Sequence, residues 1–328
     1  MTLLRYIGGR VVGVVVVLLV IAVITYAVFY LMPSDPAQLS CGRPCTPEAL
    51  ARASAFMGTD LPWWRQLGGF LTGIVAGRSF GELECAAPCF GYSFQRNEGV
   101  TQLIAERFPL TASIAVGAAM LWLVVGVLAG VVSALRRGAP IDRAIMTVAI
   151  AGVSTPVYLA GVVAVLIFGF VLRWLPVSGY VPFEDSPGAW FSHLLLPWTT
   201  LAFVSAAVYA RLTRGELLEA MGQDYIRTAR AKGLRESRVV VRHGLRTALL
   251  PVITVFGLDL GVLLGGTVIV ERVFSIPGLG TLLIEAVSGL DLQLIVGLTL
   301  FAAFLVVLMN LVVDLFYGVV DPRVRVTR

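Results

Sequence analysis

The side chains that could carry out chemistry are few in this sequence and badly placed for it. His193 and His243 are the only imidazoles in 328 residues. A Ser–His pair or a metal-bound water needs a histidine at the reacting atom, and both histidines fall in polar connecting segments. Ser154, in Gly-Val-Ser-Thr-Pro, stands alone beside a proline and is read as helix packing near a kink. Lys232 is the only lysine. A phosphate-cradling loop requires Gly-x-x-x-x-Gly-Lys-Ser/Thr, whereas Lys232 lies between Ala231 and Gly233. The four cysteines form Cys41-x-x-x-Cys45 and Cys85-x-x-x-Cys89. With no histidine nearby, disulfides are favoured over zinc, and the three possible pairings stay open. The chain is therefore predicted to be no enzyme, to hold no metal, and to carry no cofactor of its own.

The elements around these residues are apolar. Hydrophobic residues make up 58% of the chain and charged residues 14%, with a mean hydropathy of +0.88, a profile of bilayer proteins. A span needs about 20 apolar residues, and six runs qualify: Val11–Leu31, Leu110–Leu135, Ala144–Leu172, Leu194–Leu212, Leu249–Val270 and Leu292–Val319. None alternates with period two, so an all-α integral membrane protein with six transmembrane helices is expected rather than a barrel. The first run is longer than a signal-peptide core and has no small-residue cleavage site, so it reads as an uncleaved anchor.

Basic residues orient the spans. Seventeen of the 25 lie in one alternating set of segments: residues 1–10, 136–143, 211–246 and the 320–328 tail. By the positive-inside rule both termini are cytoplasmic, in a multi-pass protein of the cell (inner) membrane. The net charge of +5 thus reports topology and membrane lipid contact rather than nucleic acid, since no basic patch with interleaved aromatics stands on a soluble domain. Residues 1–31 form the N-terminus and first span. Residues 32–109 form an outer loop domain with the four cysteines. Residues 110–319 form a five-helix core with a cytoplasmic loop at 213–247. In the outer loop, Thr46 and Pro47 suit a helix start. The segment containing Trp63, Trp64 and Phe70 is too short and glycine-broken to span, and suits a helix at the membrane interface.

Two interior features stand out. Asp259 is an acid in mid-span, expensive there unless it meets water or a partner; it is expected to line a path that favours cationic groups. Asn310 and Asp314, one turn apart, read as an interhelical hydrogen-bonding pair.

The loop at 213–247 is unlike the rest of the chain. Arg238, Arg242 and Arg246 recur at every fourth residue and suit anionic headgroups. Before them, Asp224, Tyr225, Arg227, Thr228, Ala229, Lys232, Gly233 and Leu234 compose a short helix with an acid at its positive end and a glycine stop. Small residues flanked by cations suit docking into a groove on another protein.

"QDYIRTARAKGL" and "RHGLRTALLPVI" resemble the cytoplasmic loop of permease subunits of binding-protein-dependent ABC importers, in the dipeptide/oligopeptide family. The wider superfamily's motif begins Glu-Ala-Ala and has a glycine after three further residues. Here Arg227-Thr228-Ala229 and Gly233 occupy those positions, as in the peptide branch. "LMPSDPA", "ERFPLTASIAVG", "VIVERVFSIPGLGTLLIEAVSGLDL" and "NLVVDLFYGVVDPRVR" extend the likeness along nearly the whole chain; the paired Cys-x-x-x-Cys segments depart from it. The resemblance implies the type I ABC importer permease fold and a coupling role for the Asp224–Leu234 helix. It also implies a re-entrant element near an outer gate, involving Glu271, Phe274, Pro277, Gly278 and Asp291. The implied partners are a second homologous permease, two ABC ATPase subunits holding ATP and Mg, and an extracytoplasmic substrate-binding protein. Short peptides are the implied substrate, with nickel, haem or oligosaccharide as alternatives within the family. An ion-coupled secondary transporter is the rival from another class, but no internal repeat supports it.

Overall fold

The computed structural model describes residues 3–30, 46–48, 50–51, 54, 61–80, 83–93 and 95–320. Cys41, Cys45 and the tail from 321 lie outside them, as does the side chain of Asp314. The described chain is overwhelmingly helical. Helix α1 is Leu3–Tyr30, α2 Trp63–Ala76, α3 Val100–Leu135, α4 Pro140–Ser154, α5 Val157–Val171, α6 Pro187–Met221, α7 Asp224–Ala231, α8 Glu236–Leu264, α9 Val268–Val273, α10 Leu279–Gly289 and α11 Leu292–Val320. Four short strands, β1 (Arg78–Phe80), β2 (Leu83–Cys85), β3 (Tyr92–Ser93) and β4 (Glu98–Gly99), form two antiparallel pairs, β1–β2 and β3–β4.

Helices α3, α6, α8 and α11 are each long and apolar enough to cross a membrane. The predicted third span is instead two helices: α4 and α5 pass the same test only together and are bent by 104°. Pro156 explains the break, because it lacks the amide a continuous helix would use and pushes Thr155 into an extended conformation; Thr155 has φ −90° and ψ 120°. The predicted fifth span also stops early. Helix α8 ends at Leu264, before Gly266, whose φ of +141° only glycine adopts without strain. Helix α3 begins ten residues before the predicted second span, and α6 runs beyond the predicted fourth span at both ends.

The chain forms two compact units. Unit 1 comprises residues 1–111, 264–268 and 277–308. Its core includes Leu103, Ile104, Leu279, Leu282, Leu294 and Leu298, drawn from α3, α10 and α11. A second cluster seats Leu67 and Phe70 of α2 against Ala22 of α1 and Val296 and Leu300 of α11. Phe70 is therefore buried rather than at a membrane surface; Trp64 is the exposed aromatic of that helix. Unit 2 comprises residues 112–263, 269–276 and 309–328. Here glycine permits close helix packing: a Cβ on Gly126 would meet the Ala206 carbonyl oxygen at 2.9 Å, and one on Gly130 would meet the Ala210 carbonyl oxygen at 2.6 Å. Helices α3 and α6 therefore approach almost backbone to backbone.

Candidate functional site

The residues expected in the 213–247 loop fold into one local structure around α7. Helix α7 has alternate burial: Ile226 and Ala229 are buried, packed with Val239 of α8 and flanked by Met221 and Leu234. Asp224, Tyr225, Arg227, Thr228, Lys232 and Gly233 remain exposed. Ala229, expected on a docking face, faces its own chain. The helix ends as its glycine predicts. Gly233 has φ +72°, its amide donates to the Arg230 carbonyl oxygen at 2.9 Å, and the Leu234 amide donates to that of Ala229 at 3.4 Å. These paired bonds, with Leu234 folded back on Ala229, satisfy the carbonyls left open at a helix C-terminus.

Three links hold α7 to α8. Arg230 donates to both carboxylate oxygens of Glu236, at 3.1 and 2.6 Å. The hydroxyls of Tyr225 and Thr247 lie 3.4 Å apart, and the Ile226–Val239 contact supplies the apolar part. Asp224 sits in the first turn, where its charge favours the positive end of the helix. Its 3.4 Å contact with Arg227 is wide open to solvent, so both ions stay available to a partner. Arg238, Arg242 and Arg246 are exposed on α8, whose Val239–Gly244 stretch is π-helical.

The six residues assigned to a path or gate divide between the units. Asp259, Glu271 and Phe274 belong to unit 2; Pro277, Gly278 and Asp291 belong to unit 1. In unit 2, the Tyr209 hydroxyl donates to the Asp259 carboxylate at 2.8 Å, from α6 to α8. Tyr209 is fully buried, with the Trp122 ring of α3 beside it at 6.1 Å between centroids. Glu271 and Phe274 are both buried. The Phe274 carbonyl oxygen accepts from the Gly179 amide at 3.0 Å.

In unit 1, the Pro277–Gly280 segment is fixed rather than loose. Arg107 donates to the Pro277 carbonyl oxygen at 3.0 Å, and the Leu279 amide donates to the Thr111 hydroxyl at 2.8 Å. Gly266 and Gly280 let two backbones touch: a Cβ on Gly266 would stand 3.0 Å from the Gly280 Cα. Helix α10 begins at Leu279, directly after the Pro277-Gly278 break. Asp291 caps α11 by accepting from the Leu294 amide at 3.2 Å, and it also accepts from the Ser93 hydroxyl. Burial pushes its carboxyl above the ordinary range, against the opposing pull of Ser93, the Leu294 amide and the Arg96 charge. The strands reach the same helices through the Gln95 amide on the Gly289 carbonyl oxygen and through an Arg96–Glu285 ion pair at 2.6 Å. Cys85 is disulfide-bonded to Cys89, choosing one pairing the sequence left open.

One polar cluster has no counterpart in the sequence reading. Asp142, in the first turn of α4, is buried. It accepts from Arg214 Nε at 2.8 Å and Nη2 at 3.0 Å, from the Gly138 amide at 2.8 Å and from the Ser133 hydroxyl. Asp142 alone could be read as a first-turn acid. No local spacing announces an arginine 72 residues away.

Comparisons with known proteins give the family. Residues 126–326 match the family described as binding-protein-dependent transport system inner membrane component, and residues 3–115 match the family of its N-terminal region. A Brucella abortus protein named as a peptide transport system permease is 41% identical over 316 residues, covering 96% of this chain and 97% of that protein. The glutathione transport system permease protein of Pectobacterium atrosepticum is 39% identical, covering 98% and 99%. The di/tripeptide transport system permease protein of Pseudomonas aeruginosa is 37% identical, covering 93% and 94%. With its membrane-crossing helices, its exposed α7 and a family match over most of its length, this chain belongs to the inner-membrane permease components of binding-protein-dependent transport systems.

Proposed function

We propose that this chain is one of two permease subunits in an ATP-driven importer of short peptides, and that α7 is the helix on which an ATPase subunit docks. The observation that carries the docking assignment is the two-sided character of α7. Ile226 and Ala229 anchor it inwardly, while Asp224, Tyr225, Arg227, Thr228 and Lys232 present an unsheltered polar face. A helix of eight residues is too short to be stable on its own, so its exposed ions are held in place by the apolar anchor and the Arg230–Glu236 pair. The relatives' names, which describe peptide, di/tripeptide and glutathione transport, support the substrate class.

In this reading α1, α3, the α4–α5 pair, α6, α8 and α11 make six spans, with both termini cytoplasmic. ATP and Mg reside on the ATPase subunits, and a binding protein delivers peptide from outside. Asp259 lines the path and attracts the ammonium terminus of a peptide, its orientation set by Tyr209. Glu271, Phe274, Pro277, Gly278 and Asp291 belong to the outer gate.

The test is purification of the tagged chain from native membranes, with identification of what accompanies it. Recovery of a P-loop ATPase and a second permease is expected. Arg227→Glu with Thr228→Tyr, both on the exposed face, should release the ATPase while leaving the chain folded. Uptake of a labelled dipeptide should be competed by unlabelled di- and tripeptides and not by nickel, haem or oligosaccharide. A chain that purifies alone and still transports would sink the importer assignment.

A further inference from the structure

We propose that the Asp142–Arg214 ion pair is a mechanical joint through which movement of α7 reaches α4, making both side chains positioning residues for energy coupling. The inference rests on the docking assignment of α7 and adds the route by which that docking acts. All of its parts lie in unit 2.

The route can be followed contact by contact. Only Gly222 and Gln223 separate the end of α6 from α7. Met221, the last residue of α6, packs against two clusters at once. On one side are Ile226, Ala229 and Val239; on the other are Ala134 of α3, Leu217 and Ala220 of α6, and Ala248 of α8. Its seat on α8 is Gly244, where a Cβ would stand 2.8 Å from the Met221 sulfur. Gly244 closes the π-helical stretch of α8, an irregularity that widens one turn and often marks functional positions. Displacement of α7 therefore presses on the last turns of α6 through a packed apolar contact.

Two turns back along α6 stands Arg214. Its planar guanidinium engages both oxygens of Asp142, a geometry that resists rotation as well as separation. The remaining acceptor capacity of Asp142 takes the Ser133 hydroxyl at the end of α3 and the Gly138 amide in the α3–α4 turn. One carboxylate thus gathers the end of α3, the turn after it, the start of α4 and the body of α6. Helix α4 then leads into the 104° bend at Pro156, so rotation imposed at Asp142 acts on one arm of a broken span. A purely structural ion pair would need none of this alignment between docking helix, glycine seat and bent helix.

The test uses the assembled complex, with its ATPases and second permease, reconstituted in proteoliposomes and supplied with peptide-loaded binding protein. Arg214→Gln, Asp142→Asn, the double variant and Ser133→Ala are compared for ATPase recovery, ATP hydrolysis and peptide transported per ATP hydrolysed. Each single change at the pair should retain the ATPases and hydrolysis but lower transport per ATP by about tenfold, within the usual range of coupling between sites. The double variant should be no worse than either single, and Ser133→Ala should show a smaller drop in the same ratio. An unchanged ratio, or losses that multiply in the double variant, would overturn the joint. So would loss of ATPase recovery in every variant including Ser133→Ala, since the cluster would then serve folding alone. Failure of the unsubstituted chain to retain an ATPase would instead remove the docking assignment, so the two failures are distinguishable.

Discussion

The Asp224–Arg227 and Asp142–Arg214 pairs are made from the same two residue types and behave as opposites. The first joins residues three apart on one short helix, at 3.4 Å, with side chains 96% and 75% exposed. The second joins two helices, at 2.8 Å, with side chains 6% and 26% exposed. In water the first pair gains little from its own contact, because the surrounding dielectric and salt screen it. Its ions keep their capacity for a partner. Away from water the second pair is held by four hydrogen bonds, and removing one member strands a buried charge. Identical chemistry thus leaves charges open to solvent at one place and fixes helices together at the other.

The comparison can be pressed hardest at Arg214. Arg214→Ala should lower the melting temperature of the solubilised chain by about 10 °C, because Asp142 is left buried without its cation. A shift no larger than that of Arg227→Ala would erase the distinction between the pairs. Next in size is overpacking in the same unit. A Cβ at Gly117 would fall within the Trp198 indole, whose ring nitrogen donates to the Ser113 carbonyl oxygen at 2.9 Å. Gly117→Leu should therefore cost about 2 kcal/mol or more in thermal denaturation.

On the recognition side, Gly233→Ala places a side chain at φ +72° and should cost about 1 kcal/mol. Space is open around it, so faster amide exchange should be confined to α7 and its junction with α8. A further effect concerns pH in unit 1. Asp291 holds its proton more tightly folded than unfolded. Its contribution is complete below the ordinary carboxylate value of 3.8 and is lost as pH rises through the elevated folded value. The fall in melting temperature as pH rises above 3.8 should be shallower in Asp291→Asn, which keeps a capping side chain. Equal slopes would mean that other groups govern that range. The smallest expected change is in Arg227→Ala: no measurable loss of stability, but weaker retention of the ATPase.

Much of the fold was legible because apolar runs of span length have few alternatives in a bilayer. The short α7 helix was equally legible, since an N-terminal acid and a glycine stop are local signals. What it hid was the facing of Ala229, which depends on Val239 and Met221 arriving from neighbouring helices. Spans three and five were misread as continuous for a related reason. Mean apolarity hardly notices Pro156 or Gly266, while backbone geometry depends on them. Phe70 was misplaced because an aromatic suited to an interface equally suits a pocket between α1 and α11.

By itself, the sequence determined that this is a helical membrane protein with two histidines and one lysine, and that one polar segment between apolar runs has the acid and the glycine that start and stop a short helix. These follow from composition and spacing, which act over a few residues. The tertiary structure decided that Asp142 meets Arg214, that Tyr209 meets Asp259, that Cys85 bonds Cys89, and that the residues expected at an outer gate divide between two compact units. The two polar pairings join residues far apart in the chain, and the division of the gate set follows contacts equally remote. Cys85 and Cys89 are close in sequence, but their pairing had to be chosen over two alternatives involving Cys41 and Cys45. In each case the outcome depends on which helices and strands pack together, a choice that the free energy of the whole fold makes and no local pattern records.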